Sequence, residues 1–240
     1  MSTHMWRGRW YGMSPQGDAH QRAREVVRPT GTIVRGKFPS RKNGRMVDHE
    51  GLLELDAIYL FECNPEIVRY REQPLTLTYP DGRRLRRYTP DFELVLRSGE
   101  IILVEIKPTR SLVNDEVQHK LAQVAKHLAH IGQRFVVLTE QELRMEPRQS
   151  NLRWVYHQTD RVPVSAEQVR AALARHQSAF PLSISTAIQT LAQPRLNPFN
   201  MLVSGWLYCP IDQAVSPATH LHLIQEENHV WFRITQEHDF

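Results

Sequence analysis

The stretch that decides the fold covers residues 88–107 and reads YTPDFELVLRSGEIILVEIK. Residues 92–96 and 101–107 are rich in aliphatic and β-branched side chains, which favour strands. Ser98-Gly99-Glu100 between them has the composition of a turn. The pattern therefore predicts two neighbouring strands, and Pro108 ends the second because proline cannot donate to a ladder of backbone hydrogen bonds.

Three of the six charged residues in this stretch stand at the start of the first strand or the end of the second, namely Asp91, Glu105 and Lys107. Residues two apart on a strand project from one face, so Glu105 and Lys107 point together. Asp91 precedes the paired strand and reaches the same place if the turn between the strands is tight. Two carboxylates and an ammonium at a strand end suit Mg²⁺ and a metal-bound water. An ordinary Glu–Lys pair on the wet face of a surface strand is the alternative interpretation.

A helix is predicted upstream, over residues 47–62, where apolar residues recur at helical spacing until Asn64-Pro65. Glu50 and Glu54 lie one turn apart on one face of this helix. Either could overhang the strand end and add a carboxylate to the predicted metal site. The spacing alone does not choose between them.

The rest of the first 150 residues completes an α/β unit. Residues 75–79 and 84–89 are predicted to form a hairpin around Pro80-Asp81-Gly82-Arg83, which has turn chemistry. A second helix is expected over residues 114–131 and a further strand over 135–139. The order helix, strands, helix, strand is typical of layered α/β domains.

Taken in order, these motifs resemble the TnsA family of transposon endonucleases, which have the PD-(D/E)xK restriction-enzyme fold. The resemblance covers roughly residues 37–145. The matching segments are Glu50-Gly51-Leu52-Leu53-Glu54, Asn64-Pro65-Glu66-Ile67-Val68, Glu72-Gln73-Pro74, Tyr88-Thr89-Pro90-Asp91-Phe92, Val104-Glu105-Ile106-Lys107-Pro108 and Phe135-Val136-Val137-Leu138-Thr139-Glu140. It implies an α/β restriction-endonuclease-like core, a mixed sheet flanked by helices, with a smaller winged-helix-like C-terminal domain.

The resemblance also implies a role for each site residue. Glu54, Asp91 and Glu105 correspond to the metal ligands, with Mg²⁺ as the cofactor and Mn²⁺ as a substitute. Lys107 corresponds to the catalytic lysine, so all four residues are expected to be catalytic. Gly51 stands where serine is common in the family, which keeps Glu50 open as a rival of Glu54.

The implied activity is hydrolysis of DNA, as a subunit that nicks the 5′ ends of a transposon. The implied partners are the transposon-end DNA, a DDE-type (TnsB-like) transposase that cuts the 3′ ends, and a TnsC-like ATPase regulator. Two alternatives remain open: a stand-alone restriction or repair nuclease of the same fold, and a non-catalytic DNA-binding adaptor.

Charge is distributed unevenly along the 240 residues, whose formal net charge is +4. Residues 1–46 contain ten Lys and Arg against one Asp and one Glu, so this segment carries +8 and the remainder −4. The segment is interpreted as an extended basic arm with little core of its own, either a solvated tail or an arm for DNA phosphates. The DNA-binding candidates in it are Arg35, Lys37, Arg41, Lys42 and Arg45.

The predicted division of the chain is a basic arm over 1–46, a nuclease domain over 47–150 and a winged-helix-like C-terminal domain over 151–240, which is expected to bind a partner protein or DNA. In the last, helices are expected over 166–176 and 184–191, followed by two short strands between residues 221 and 234 that form a terminal hairpin.

Composition narrows the class of protein. Two cysteines cannot build a disulfide framework, and no apolar run is long enough to cross a membrane. The twelve histidines show no zinc-ligand spacing with cysteines or acidic residues. We therefore expect a cytoplasmic protein, and the resemblance to the TnsA family implies a bacterial one that associates with the nucleoid when it acts.

Overall fold

A computed structural model describes residues 20–23, 34–161, 165–192, 195–224, 231–235, 237, 238 and 240. Much of the predicted basic arm, over residues 1–19 and 24–33, lies outside the described residues, as does the middle of the predicted terminal hairpin. No helix in the described ranges is long and apolar enough to cross a membrane.

The elements of the first 150 residues surround one four-stranded sheet. In chain order they are β1 (Gly36–Ser40), β2 (Arg45–His49), α1 (Leu52–Cys63), β3 (Ile67–Glu72), β4 (Leu77–Asp81), β5 (Arg84–Tyr88), β6 (Phe92–Leu96), β7 (Ile101–Ile106), α2 (Asp115–His130), β8 (Arg134–Leu138) and α3 (Glu140–Leu143). The rest of the chain forms α4 (Arg148–Gln158), α5 (Ala166–His176), β9 (Leu182–Ser183), α6 (Ile184–Thr190), α7 (Pro198–Val203), β10 (Leu207–Tyr208) and β11 (His220–Leu223).

The main sheet has the strand order β3-β6-β7-β8. β6 is antiparallel to both of its neighbours, whereas β8 is parallel to β7. A parallel neighbour requires a crossover connection, which α2 supplies between β7 and β8. The sheet is therefore mixed and flanked by helices, which confirms the predicted restriction-endonuclease-like fold class.

The strand β7 is buried on both faces, and its alternation separates two groups of core residues. Ile102, Val104 and Ile106 join the larger core, which includes the buried face of α1. Leu103 points the other way and packs with Val124 and Leu128 of α2. Glu105 shares the Leu103 face by the same alternation, so the predicted separation of Glu105 from its aliphatic neighbours holds.

Helix α2 forms where the periodicity predicts it. The side chain of Asn114 accepts hydrogen bonds from the backbone N–H groups of Glu116 and Val117, at 2.9 and 3.1 Å, which caps the helix. Gly132 follows the last turn with a φ of 71°, a conformation that favours glycine.

Residues 36–49 form the hairpin β1–β2. The predictions that an arm extends to residue 46 and that a helix begins at residue 47 were therefore wrong for these residues. Phe38 and Val47, one on each strand, are 3% and 0% exposed and belong to the main core. Val47 is therefore a strand residue, and α1 starts only at Leu52. The many cations of this segment concealed the two apolar positions that hold it to the core.

The second correction concerns residues 67–72, to which the sequence assigned no strand but which form β3 at the edge of the main sheet. Its alternation is disguised, because one of its buried positions is the charged Glu72 and a register shift falls between Ile67 and Arg69.

The predicted domain boundaries fall within elements of the structure. The strand β2 spans the boundary after residue 46, and α4 spans the boundary after residue 150. Asp56 on α1, which is 2% exposed, is joined to Arg153 on α4 and, at 2.6 Å, to Arg144. The helix α4 is thus attached to the core around the main sheet by buried charge as well as by apolar packing.

In the C-terminal region the two expected helices are present as α5 and α6. The strand β11 pairs with β9 and β10 to form a three-stranded sheet. The expected partner of β11 in a terminal hairpin lies partly outside the described residues, and residues 231–235 contain no strand. The winged-helix-like assignment stays a prediction.

Candidate active site

Asp91 lies directly before β6, at the edge of the sheet where β6 begins and β7 ends. Its Oδ2 accepts a hydrogen bond from the backbone N–H of Ile106 at 2.8 Å, so the carboxylate is held against the end of β7. Burial, together with the charges of Glu105 and Glu54, raises its pKa to about 8 despite the opposing effect of Lys107. Such repulsion is expected where several carboxylates face one small volume.

Glu105 and Lys107 form the second part of the site. The Lys107 Nζ lies 2.6 Å from Glu105 Oε1 and 3.8 Å from Asp91 Oδ2. Burial lowers the pKa of Lys107, but Glu105 and Asp91 outweigh it, and the net shift is upward. The structure therefore brings together the three residues that the strand pattern placed on one spot, and the lysine remains an ammonium among them.

Tyr88, at the end of β5, completes the surroundings of Glu105. Its hydroxyl donates a hydrogen bond of 2.5 Å to Glu105 Oε2, the oxygen that Lys107 does not contact. Glu105 is 2% exposed, so both of its oxygens depend on these partners within the protein. Tyr88 belongs to one of the motifs that match the TnsA family, but only its distance to Glu105 in the structure reveals a function for it.

Glu54 and Glu50 differ in their hydrogen-bond partners. Glu54 accepts a hydrogen bond from the backbone N–H of Glu50 at 2.7 Å. Its pKa is raised by burial, and it interacts electrostatically with Lys107 and Asp91. Glu50 Oε1 instead accepts hydrogen bonds from Arg22 at 2.7 Å and from Gln73 at 2.9 Å. The geometry thus favours Glu54 as the helix carboxylate of the site.

Gln73 is a second residue that the sequence left without a role. It has a φ of 44°, in the left-handed region, and its backbone N–H donates to the carbonyl of Asp91 at 2.7 Å. Its side chain is buried, and its Oε1 has no hydrogen-bond partner in the part of the chain that the structure describes. A strained, incompletely bonded residue beside a carboxylate cluster is typical of functional sites.

The carboxylates do not form a ready-made metal cage. In the described ranges, no group of three His, Cys, Asp or Glu side chains has a geometry that could hold a metal ion. The donor chemistry nevertheless suits a hard cation, because Glu54, Asp91 and Glu105 repel one another enough to contribute to the raised pKa of Asp91. The Glu105 oxygens are meanwhile occupied by Lys107 and Tyr88.

Three of the five DNA-binding candidates are engaged within the protein. A role of these three in DNA binding stays a prediction, and each of them also has partners within the fold. Arg41 donates to the carbonyl of Tyr156 at 2.7 Å, and Lys42 Nζ donates to the carbonyl of Phe61 at 2.8 Å. Burial lowers the pKa of Lys42 to about 8.

Arg45 forms two hydrogen bonds with Glu72, of 2.8 and 2.6 Å. Lys37 differs from these residues, because it is more exposed and lies 3.4 Å from Asp48. Arg35 precedes β1 and makes contacts of its own with the protein. A role of these two in DNA binding stays a prediction.

The fold and the site together define a class of protein. The main sheet is mixed, with Pro-Asp before one central strand and Glu-x-Lys at the end of the next. This arrangement is typical of the restriction-endonuclease-like nucleases.

The comparison with protein families narrows this class. Residues 64–140 match the family model described as TnsA-like endonuclease N terminal, so the chain contains this domain, as the motifs indicated. The matched segment includes Asp91, Glu105 and Lys107, but it begins after α1 and thus after Glu54. No curated protein matches the chain.

Proposed function

We propose that this protein is the Mg²⁺-dependent endonuclease subunit of a transposase, which nicks DNA at the 5′ ends of the transposon. The observation that carries the proposal is the convergence of Asp91, Glu105 and Lys107 at one sheet edge, inside the segment that matches the TnsA-like domain. Its substrate is transposon-end DNA in the bacterial cytoplasm, and its partners are a TnsB-like transposase and a TnsC-like ATPase regulator.

The residues that would hold Mg²⁺, or Mn²⁺ in its place, are Glu54, Asp91 and Glu105. When bound, the ion would polarise the phosphate and lower the pKa of a coordinated water. Glu105 is oriented by the hydroxyl of Tyr88, and Asp91 by the backbone of Ile106. These supports keep two of the three carboxylates in fixed rotamers, which is what a precise donor set requires.

Lys107 is suited to act on the phosphate or on the attacking water. Its ammonium is already within the carboxylate cluster and stays protonated at neutral pH because its pKa is raised. A positive charge held in a partly dry site stabilises the negative charge that develops on phosphate oxygens during attack. Lys107 therefore donates a hydrogen bond to the phosphate or to the attacking water, while the carboxylates orient the Lys107 ammonium.

The test is nicking of a supercoiled plasmid that carries the transposon ends, with Mg²⁺ and with the partner transposase added. We expect Asp91→Ala and Lys107→Ala to abolish nicking while their thermal unfolding remains cooperative. Glu116→Ala, on the exposed side of α2, is the matched control and should nick like the wild type. Nicking by Asp91→Ala at the wild-type rate would contradict the proposal.

The two alternatives are distinguished by the nicking assay and by a metal titration. A stand-alone nuclease would cut the plasmid efficiently without any partner, whereas a transposase subunit requires one. A non-catalytic adaptor would show no Mg²⁺ or Mn²⁺ binding that depends on Asp91. Isothermal titration of both ions into the wild type and Asp91→Ala separates the adaptor from the enzyme.

A further inference from the structure

The hairpin β4–β5 carries the densest positive charge in the described ranges that is not used inside the protein. Residues 77–88 contain four arginines and one aspartate. Residues 82–87 are all exposed. Arg86 pairs with Asp81, but the side chains of Arg83, Arg84 and Arg87 make no hydrogen bond or ion pair with the described residues.

The two faces of the hairpin differ in what they contact. The register pairs Tyr79 with Arg86 and Leu77 with Tyr88, so the two tyrosines share a face. That face packs on α2, where both tyrosines belong to a buried cluster with Leu103. The opposite face is defined by the pairs Thr78–Arg87 and Pro80–Leu85, and all four of these residues are exposed. The inner face holds the hairpin in place, and the outer face is left for a partner.

The hairpin leads directly into the candidate active site. Its last residue, Tyr88, bonds to Glu105, and its base is closed by a hydrogen bond of 2.8 Å between Thr76 and Thr89. At about 3.3 Å per residue, Arg84 lies only about 13 Å along the strand from Tyr88. A molecule that reaches the carboxylates from this side therefore passes the arginines.

The adjacent surface of α2 continues the positive charge. Lys120 Nζ lies 5.2 Å from the centre of the Tyr88 ring, between the hairpin and the site. A cleft of about 500 Å³ separates the hairpin tip from α2 and is lined by Gly82, Lys126, His127 and His130, among others. Two lysines of α2 thus lie beside the hairpin, Lys120 against its last residue and Lys126 at the cleft near its turn.

We infer that β4–β5 is a DNA-binding ribbon, whose Arg87 on the outer face and exposed Arg84 beside the turn contact the phosphates of the duplex near the cleaved bond. This deepens the proposed nuclease function and rests on it. A two-stranded ribbon is narrow enough to enter the major groove. Arginines on such a ribbon bind phosphate oxygens through paired N–H groups. Leu85, which is 76% exposed, shares the outer face with Arg87 and faces the same partner.

The first test measures binding without cleavage, with a fluorescein-labelled duplex and EDTA in place of the metal. Arg84→Gln/Arg87→Gln removes two charges from the ribbon, and Arg170→Gln/Arg175→Gln removes two from the exposed side of α5 as a matched control. We expect the ribbon variant to bind about tenfold more weakly and the slope of log K against log salt to fall by about 2. The control should bind like the wild type.

Several outcomes would overturn the inference. Binding of the ribbon variant at wild-type affinity would assign the arginines to another anion, such as an acidic protein surface, or to protection of the strand edges from aggregation. An equal loss in both double variants would show only a dependence on total charge. Failure of the nuclease proposal is a separate result, since it would appear as wild-type binding without nicking when Mg²⁺ is restored.

The second test does not depend on affinity. Cys63 and Cys209 are both buried, so a cysteine introduced at Leu85 can be labelled selectively with a photocrosslinker. Leu85→Cys should crosslink to the duplex on irradiation. Ile188→Cys, at a position on α6 that is 46% exposed, should not. Equal crosslinking at the two positions, or none at Leu85, would contradict the ribbon.

Discussion

Replacement of Arg45 by methionine tests whether this cation serves the fold or the DNA. The Arg45 guanidinium and the Glu72 carboxylate are joined by hydrogen bonds of 2.8 and 2.6 Å, and their side chains are only 13% and 5% exposed. In Arg45→Met the Glu72 carboxylate stays buried, with the backbone N–H of Asp48 at 3.2 Å as its remaining hydrogen-bond donor.

The expected loss in the free energy of unfolding of Arg45→Met follows from the burial of Glu72. Removal of one partner of a buried ion pair costs about 3–5 kcal/mol, and we take the lower value because Asp48 still donates. For a chain of this size, a loss of about 3 kcal/mol corresponds to a fall in melting temperature of about 6–12 °C. The assay is urea unfolding followed by tryptophan fluorescence, with thermal unfolding as a second measurement.

Two variants make the Arg45 experiment decisive. Lys37→Met removes a cation from the same hairpin, but its contact with Asp48 is 3.4 Å long and partly exposed, so it should cost less than about 1 kcal/mol. Adding Glu72→Gln to Arg45→Met should recover part of the loss, because the buried charge is then gone. The reasoning is refuted if Arg45→Met unfolds within about 0.5 kcal/mol of the wild type.

Three further predictions concern the site and its support. Because the pKa of Asp91 rises from 3.8 to about 8 on folding, the folded state binds the extra proton between these values, and wild-type stability falls across this window. The free energy of unfolding of Asp91→Asn, measured with urea, should therefore equal that of the wild type near pH 4 and exceed it by up to about 4 kcal/mol at pH 7. A lower free energy of unfolding for the variant at pH 7 would contradict this. Tyr88→Phe removes the 2.5 Å hydrogen bond to Glu105 and should slow nicking about tenfold at saturating DNA with little change in KM, whereas unchanged nicking would exclude a positioning role. Asp56→Ala should lower the free energy of unfolding by about 2 kcal/mol, since the carboxylate joins α1 to two arginines, and a loss below about 0.5 kcal/mol would contradict that role.

Local periodicity accounts for most of what could be predicted about the fold. The helix at residues 114–131 and the strands at 92–96 and 101–107 were predicted within one or two residues of their observed limits. Their signals, an Asn cap, apolar spacing and β-branched runs, are properties of neighbouring residues. These signals can therefore be recognised in the sequence without knowledge of any distant contact.

Elements whose burial depends on distant partners were missed. β3 carries a buried glutamate, and the hairpin β1–β2 has only two deeply buried apolar side chains among several cations. A buried charge is acceptable only when a partner neutralises it, and here the partner of Glu72 is Arg45, 27 residues earlier. No local pattern in the sequence carries that information.

The candidate site divides in the same way. The sequence by itself determined that Glu105 and Lys107 share a face and that a Pro-Asp precedes the neighbouring strand, because strand geometry has a period of two. Only the tertiary structure showed that Glu54 interacts electrostatically with Lys107 while Glu50 is bonded to Arg22 and Gln73, and that Tyr88 donates a hydrogen bond to Glu105. The tertiary structure also gave Arg41, Lys42 and Arg45 acceptors within the protein and left the arginines of β5 exposed, because the partner of each cation depends on which distant residues folding brings near it.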